Sequence, residues 1–273
     1  MEKKSDPQGK GGDFDRADWA LILGGSSGLG LATAKKLALH GMNICVVHRN
    51  PRSEMRQISQ EFKEIEASGV SFLSFNKDAV REDHRDQIVE DMRTRMGQHA
   101  RIRLLVHSIA RGNLKPMSGQ GEKVLSHSDL VMTLEAMALS LYDWSRRLLQ
   151  EGWFVSNSRI IGFTSEGNTR VMNNYGAVSM AKSALESICR QLAVELGPSG
   201  VSVNCIQAGV TDTRSLQMIP GSEKLKEIAL RRNPKGRLTR PEDVANVVYL
   251  LCREEADWIN GTTLVVDGGE HLR

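Results

Sequence analysis

The chain has 273 residues, enough for one large α/β domain or two small ones. Its 36 Lys+Arg stand against 33 Asp+Glu, and a net charge of +3 gives no general basis for binding nucleic acid or a membrane surface. There is no run of 18 apolar residues, and the opening MEKKSDPQGKGGDFDR has no apolar signal-peptide centre. Residues 1–16 are therefore expected to form a mobile polar arm ahead of a soluble, cytoplasmic domain over 17–273.

From Trp19 onward, short apolar β-rich runs alternate with longer helical patterns, the signature of a parallel sheet covered on both faces. The first expected strand, 20–23, runs through LGGSSGLG (Leu23–Gly30) into a helix over 28–40. Strand 43–47, helix 52–67, strand 71–75, helix 81–98 and strand 102–106 follow. A Gly/Pro-containing excursion, 111–123, precedes a helix over 128–150 and a strand over 159–163. Next come a helix over 175–196, a strand over 201–206 and a long stretch, 210–237, that is helix-prone in part. Thr239, Pro241 and Glu242 give a capping box and first-turn proline to a helix over 240–253, and the last strand is 263–266. These elements make one α/β domain, a Rossmann-type doubly wound parallel sheet of about seven strands.

Cys45, Cys189, Cys205 and Cys252 are far apart among apolar neighbours, as expected of buried, reduced thiols. His84, His99 and His271 are too scattered to suggest a metal site. The strongest chemical signal is the glycine loop. Gly24, Gly28 and Gly30, set between a strand and a helix, allow a tight turn, close approach of backbone N–H groups to a pyrophosphate, and close helix–strand packing.

That G-x3-G-x-G spacing resembles the short-chain dehydrogenase/reductases, and the resemblance runs from Trp19 to Gly269, ending on Val265-Val266-Asp267-Gly268-Gly269. It implies a dinucleotide held by Gly24, Ser26, Ser27, Gly28, Leu29 and Gly30, by Asp78 and Ala79 beside the adenine, and by Ser108, Ile109 and Ala110 after the fourth strand. Lys182, on the nicotinamide ribose, and Ala208, Gly209, Val210 and Thr211 complete the set. At the end of the second strand, where NAD-specific relatives carry an acid, the chain has His48 and Arg49, with Arg52 close by. A guanidinium suits a 2′-phosphate, so NADPH is expected over NADH, with Arg49 as its main reader and Arg52 a solvated helix-start residue.

YGAVSMAK, Tyr175 to Lys182, separates tyrosine from lysine by seven residues. In ordinary members the tyrosine lies four residues before the lysine and a serine thirteen before the tyrosine; counting back from Lys182 places Val178 and Ser165 there. Lysine and serine stand where expected, and the tyrosine is displaced by roughly 4.5 Å along a helix axis. Carbonyl reduction needs a proton at the oxygen of the carbon that receives hydride. Enoyl-thioester reduction develops charge on an oxygen two carbons further on, where a displaced hydroxyl serves. The Tyr-x6-Lys pair, VHSIA (Val106–Ala110), LAVELGPSGVSVN (Leu192–Asn204) and NCIQAG (Asn204–Gly209) resemble enoyl-acyl-carrier-protein reductases, and Ser165 in place of a second tyrosine resembles their NADPH-dependent branch.

The resemblance implies catalytic roles for Tyr175, Lys182 and Ser165, with Lys182 lowering the tyrosine's pKa. His107 reads as a placement residue, and Thr133 stands where many relatives have a relay asparagine. Leu216, Met218 and Ile219, with Leu225, Ile228 and Leu230, suit a lid lining an acyl pocket. Arg214, Lys224, Lys226, Arg231 and Arg232 make that lid basic, matching an acidic carrier protein. The expected activity is reduction of the trans-2 double bond of an enoyl thioester, carried on acyl carrier protein or coenzyme A, without a metal. A carbonyl reductase and a non-catalytic NADPH-binding sensor are the alternatives. A homotetramer or homodimer is implied, with Leu185, Ile188 and Leu192 as a packing stripe serving either the interface or the core.

Overall fold

The computed structural model describes residues 13–119, 124–219 and 221–273. Seven strands form one sheet in the order β3-β2-β1-β4-β5-β6-β7, every neighbouring pair parallel. They are β1 (Asp18–Leu23), β2 (Asn43–His48), β3 (Phe72–Asn76), β4 (Arg101–His107), β5 (Arg159–Ser165), β6 (Ser202–Ala208) and β7 (Thr263–Val266). The order reverses between β1 and β4, and the crevice beyond their carboxyl ends is where an open sheet of this kind binds ligands.

Side-chain alternation divides the core into two layers. Trp19, Leu21 and Leu23 of β1 face one way with Leu105 and Val203, packed under α3 (Glu82–Arg95), α5 (Ser140–Gln150) and α6 (Gly176–Leu196). Ala20, Ile22, Leu104, Val106 and Phe163 face the other, under α1 (Gly28–Leu39), α2 (Met55–Glu66) and α9 (Pro241–Leu251). Leu185 and Leu192 are buried in the first layer with Ile188 against it, so the apolar stripe of α6 is spent on the core. The four cysteines are all buried and unbridged, and burial pushes the Cys252 thiol up to about 12.

Several boundaries differ from the periodicity. A 3-10 turn, Arg52–Glu54, follows Pro51 and delays α2 to Met55. The expected helix over 128–150 is α4 (His127–Leu134), a π-helical stretch (Glu135–Leu139) and α5. The expected lid holds two helices, α7 (Arg214–Gln217) and α8 (Ser222–Arg232). Arg240, not Thr239, caps α9: the Asp243 carboxylate accepts the Arg240 N–H at 2.8 Å, while Thr239 bridges to Thr211. Of the arm expected over 1–16, residues 1–12 lie outside the described residues. Asp13 accepts from Tyr249 Oη at 2.6 Å and pairs with His40 and Arg253, tethering the chain just ahead of β1.

Candidate active site

Close backbone packing builds the dinucleotide end. Gly24 has φ +88°, and a Cβ there would lie 2.3 Å from the Ser108 carbonyl oxygen; one on Gly30 would lie 2.3 Å from the Gly24 oxygen. Side chains at these positions would push the loop from the ends of β4 and α1, so the glycines preserve a groove. The groove, about 480 Å³, is lined by Gly24, Ser26, Ser27, His48, Arg49, Asp78, Ala79, Ser108, Ile109 and Ala110. Gly28 (φ +54°) and Gly30 open α1 directly beneath.

Two arginines meet one carboxylate here. Arg49 and Arg111 donate to the same Asp78 oxygen at 2.9 and 3.0 Å, while the other Asp78 oxygen accepts the Val80 N–H. Asp78, expected beside the adenine, is thus also the tether of Arg49. His48 does not reach outward as a phosphate reader. Its ring is buried edge-on to Phe62 with Nδ1 on Asn50, and burial lowers its pKa, keeping the imidazole neutral. Asn50 in turn accepts from Ser26 Oγ at 2.8 Å, linking the glycine loop to the end of β2. A nicotinamide dinucleotide suits this groove: clearance at the glycines admits a pyrophosphate, and the two guanidinium groups supply the positive charge a phosphate requires.

At the centre, β5 delivers Ser165 and α6 delivers Lys182, while Tyr175 occupies the N-cap of α6. The chain turns sharply to place it: Asn174 has φ +61°, and the Tyr175 ring lies so close to Gly167 that a Cβ there would touch Cε1 at 2.4 Å. Tyr175 Oη and Ser165 Oγ lie 3.3 Å apart. Burial raises the tyrosine pKa, and the Ser165 hydrogen bond pulls it down. Lys182, almost fully buried, donates to the Phe163 carbonyl at 2.6 Å, and desolvation lowers its pKa to about 8. The Lys182 amine thus turns to the Phe163 carbonyl, and the polar neighbour of the Tyr175 hydroxyl is Ser165.

Val178, at the ordinary tyrosine position, belongs to an apolar cluster with Ala136, Met137, Tyr175 and Ala181. A Cβ on Gly112 would meet Val178 Cγ2 at 2.7 Å, so valine and glycine close one wall of the cleft. That cleft, about 330 Å³, also takes in Leu29, Ser165, Ala208, Gly209, Val210, Thr211, Leu216, Met218 and Ile219. It shares Ala110, Gly112, Ser215 and Met218 with the dinucleotide groove, so the two form a continuous channel.

Two ion pairs, Arg232–Glu166 and Arg214–Glu54, tie the expected lid to the body, and a third, Lys226–Asp212, lies within it. Arg232 donates two hydrogen bonds to Glu166, at 2.9 and 2.6 Å, and Lys226 lies 2.9 Å from Asp212. Three of the five lid cations are therefore engaged within the chain.

His107 is fully buried, 2.8 Å from Ser140 Oγ through Nε2. Burial and the nearby Lys182 charge lower its pKa to about 3, so it is a neutral placement group. Thr133 accepts the Asn113 N–H at 3.1 Å and fastens the excursion after β4 to α4; Asp129 adds bonds to Asn113 and Lys115. Of that excursion, residues 120–123 lie outside the described residues.

Sequence reasoning passed over Arg111, Asn50 and Glu54 in the groove, and Gly112, Met137 and Glu166 in the cleft. Arg111 had a usable signal, since it directly follows the expected cofactor residues Ser108–Ala110; the others depend on tertiary folding. Among the described residues, no helix is long and apolar enough to cross a membrane. Nor, among them, does any group of three or more His, Cys, Asp or Glu side chains stand ready for a metal ion.

A family model described as enoyl-(acyl carrier protein) reductase matches residues 24–271. The chain is 28% identical over 260 residues to dehydrogenase/reductase SDR family member 4 of Mus musculus, covering 93% of this chain and 87% of that protein. It is 28% identical over 257 residues to 1-cyclohexenylcarbonyl-CoA reductase of Streptomyces collinus, with 93% and 87% covered. In fold it is similar to the crystal structure of enoyl-[acyl-carrier-protein] reductase (NADH) from Aquifex aeolicus VF5, with TM-score 0.80, 24% identity, and 94% and 97% of the two chains covered.

Proposed function

This chain belongs to the enoyl-(acyl carrier protein) reductase family of short-chain dehydrogenase/reductases, and from that premise we propose that it reduces the trans-2 double bond of an enoyl thioester with NADPH. The carrying observation is the tyrosine exchange. Val178 fills the ordinary position as an apolar wall, while the hydroxyl stands at the N-cap of α6, bonded to Ser165.

NADPH, when bound, supplies a hydride, here to the β-carbon of the enoyl group. Charge then develops on the thioester oxygen, and Tyr175 stabilises it by donating its hydroxyl hydrogen bond; the α-carbon next takes a proton from solvent, which restores the thioester carbonyl and completes the saturated bond. Ser165 holds that hydroxyl in position and, by opposing the effect of burial on its acidity, makes it a stronger donor. Lys182 holds the nicotinamide ribose and contributes positive charge to a site that burial keeps from water. The cleft between Gly112, Met137 and Leu216 accepts the acyl chain, and Arg49 with Arg111 favours the phosphorylated dinucleotide.

The similarity to the Streptomyces collinus reductase supports a thioester substrate, by that protein's name. A carbonyl reductase is favoured by the serine retained at Ser165. Supplying NADPH with either a trans-2-enoyl or a 3-ketoacyl thioester, on coenzyme A and on acyl carrier protein, separates the readings. Turnover of the enoyl substrate alone is expected. Turnover of the ketoacyl substrate alone would establish the carbonyl reductase, and cofactor binding without any turnover a sensor.

A further inference from the structure

The dinucleotide groove has a wall that the chain builds from two distant segments. Arg214, on the lid, pairs with Glu54, 160 residues earlier, where the chain turns from β2 into α2. Both line the same groove as Ser26, Arg49 and Asn50. Their hydrogen bonds form a chain: Ser26 Oγ donates to Asn50 Oδ1 at 2.8 Å, Asn50 Nδ2 donates to Glu54 Oε2 at 2.8 Å, and Glu54 Oε1 accepts from Arg214. The glycine loop is thereby wired to the lid.

Glu54 is an anomaly for a groove that is to hold a phosphorylated ribose. An unpaired carboxylate beside the end of β2 would repel a 2′-phosphate, and Arg214 is the cation that cancels it. Arg49 stands in a parallel state, tied to Asp78. Each carboxylate also has a second donor: Asp78 has Arg111, and Glu54 has Asn50. Releasing Arg49 and Arg214 to a common anion would therefore leave neither acid without a partner, the condition under which such an exchange is inexpensive. Arg214 is 60% exposed at its side chain, on a helix of four residues, and can turn without disturbing the core.

We infer that Arg214 is a specificity-determining residue, delivered by the lid, that reads the cofactor 2′-phosphate together with Arg49, Glu54 being its partner while no phosphate is present. The inference rests on the NADPH reading above. It makes lid position depend on the presence of that phosphate, so the phosphorylated cofactor draws the acyl-pocket cover into place and the unphosphorylated one does not.

NADP+ and NAD+ differ by the phosphate alone, and calorimetric binding of each to the full chain at fixed ionic strength isolates its contribution. Losing one charge-assisted hydrogen bond in Arg214→Ala is expected to weaken NADP+ about tenfold and leave NAD+ unchanged, with Arg214→Lys between the two. Glu54→Gln is expected to tighten NADP+ in the parent chain by freeing Arg214, to tighten it in the Arg214→Ala background by removing a carboxylate left without its cation, and to leave NAD+ unchanged in both. Hydrogen exchange across 214–232 should slow more with NADP+ than with NAD+. Equal weakening of both cofactors, or of neither, overturns the role of Arg214; if Arg49→Ala still removes the NADP+ preference, the NADPH reading stands without it. A parent chain that binds both alike overturns both.

Discussion

The Ser165 and Tyr175 hydroxyls face each other at 3.3 Å across the connection between β5 and α6. Replacing Tyr175 by Phe removes the donor while keeping the buried ring, and is expected to lower kcat on an enoyl thioester by about 10²–10³-fold, the scale of one lost oxyanion donor. NADP+ affinity should hold, and steady-state kinetics with calorimetry reads both. Ser165→Ala, which removes the bond lowering the tyrosine pKa, is expected to move the Tyr175 phenol titration, read by ultraviolet absorbance, upward.

Lys182 carries two opposite pH dependences. Its folded pKa of about 8 lies below the ordinary 10.5, so between those values the unfolded chain binds more protons and the cofactor-free fold gains stability as pH rises. The gain is on the order of 1–3 kcal/mol. Urea unfolding from pH 7.5 to 10.5 should show the rise in the parent chain and its absence in Lys182→Met. Cofactor-dependent turnover should instead fall as pH passes about 8, because the cation is lost.

Arg49 lines the groove just beyond the end of β2, where the proposed preference for NADPH would be set. Arg49→Asp would put a second carboxylate beside Asp78 and is expected to raise the KM for NADPH by about 10²-fold while changing that for NADH far less. An unchanged ratio of the two constants would remove Arg49 from the reading.

His107 makes the fold sensitive to acid. Its folded pKa of about 3 lies below the ordinary 6.5, so its contribution is fully present above pH 6.5 and is lost as pH falls toward 3. A His107→Gln variant is expected to be less stable at neutral pH, having lost a fitted buried group, yet to lose stability less steeply between pH 6.5 and 4. Denaturant titrations at several pH values read the slope.

The parallel sheet was legible because strands such as β1 and β2 are apolar on both faces and alternate with helical periods. The glycine loop was legible because its residues are adjacent in the chain. Ser165, Tyr175 and Lys182 could be placed by counting on either side of one turn. What escaped was set by distance in sequence. Glu54 meets Arg214, and Arg111 meets Asp78, only after the sheet has brought separate loops to one edge. The direction of the Lys182 amine was equally hidden, since a backbone carbonyl of β5 claims it. The N-cap seat of Tyr175 depends on the left-handed Asn174, which no periodicity reports.

The π-helical stretch Glu135–Leu139 amounts to an additional residue wound into an otherwise regular rod. Before it, Thr133 reaches Asn113; after it, Ser140 reaches His107 and Trp144 Nε1 donates to the Ala79 carbonyl at 2.8 Å. One rod thereby fixes the loops following β3 and β4. Wound as an unbroken α-helix, the same residues would turn every side chain beyond the stretch by about 100° relative to those before it; the wide turn absorbs that rotation and lets Thr133 and Ser140 serve their two partners at once. A relative that loses the wide turn while keeping every residue would therefore moor the loops following β3 and β4 differently.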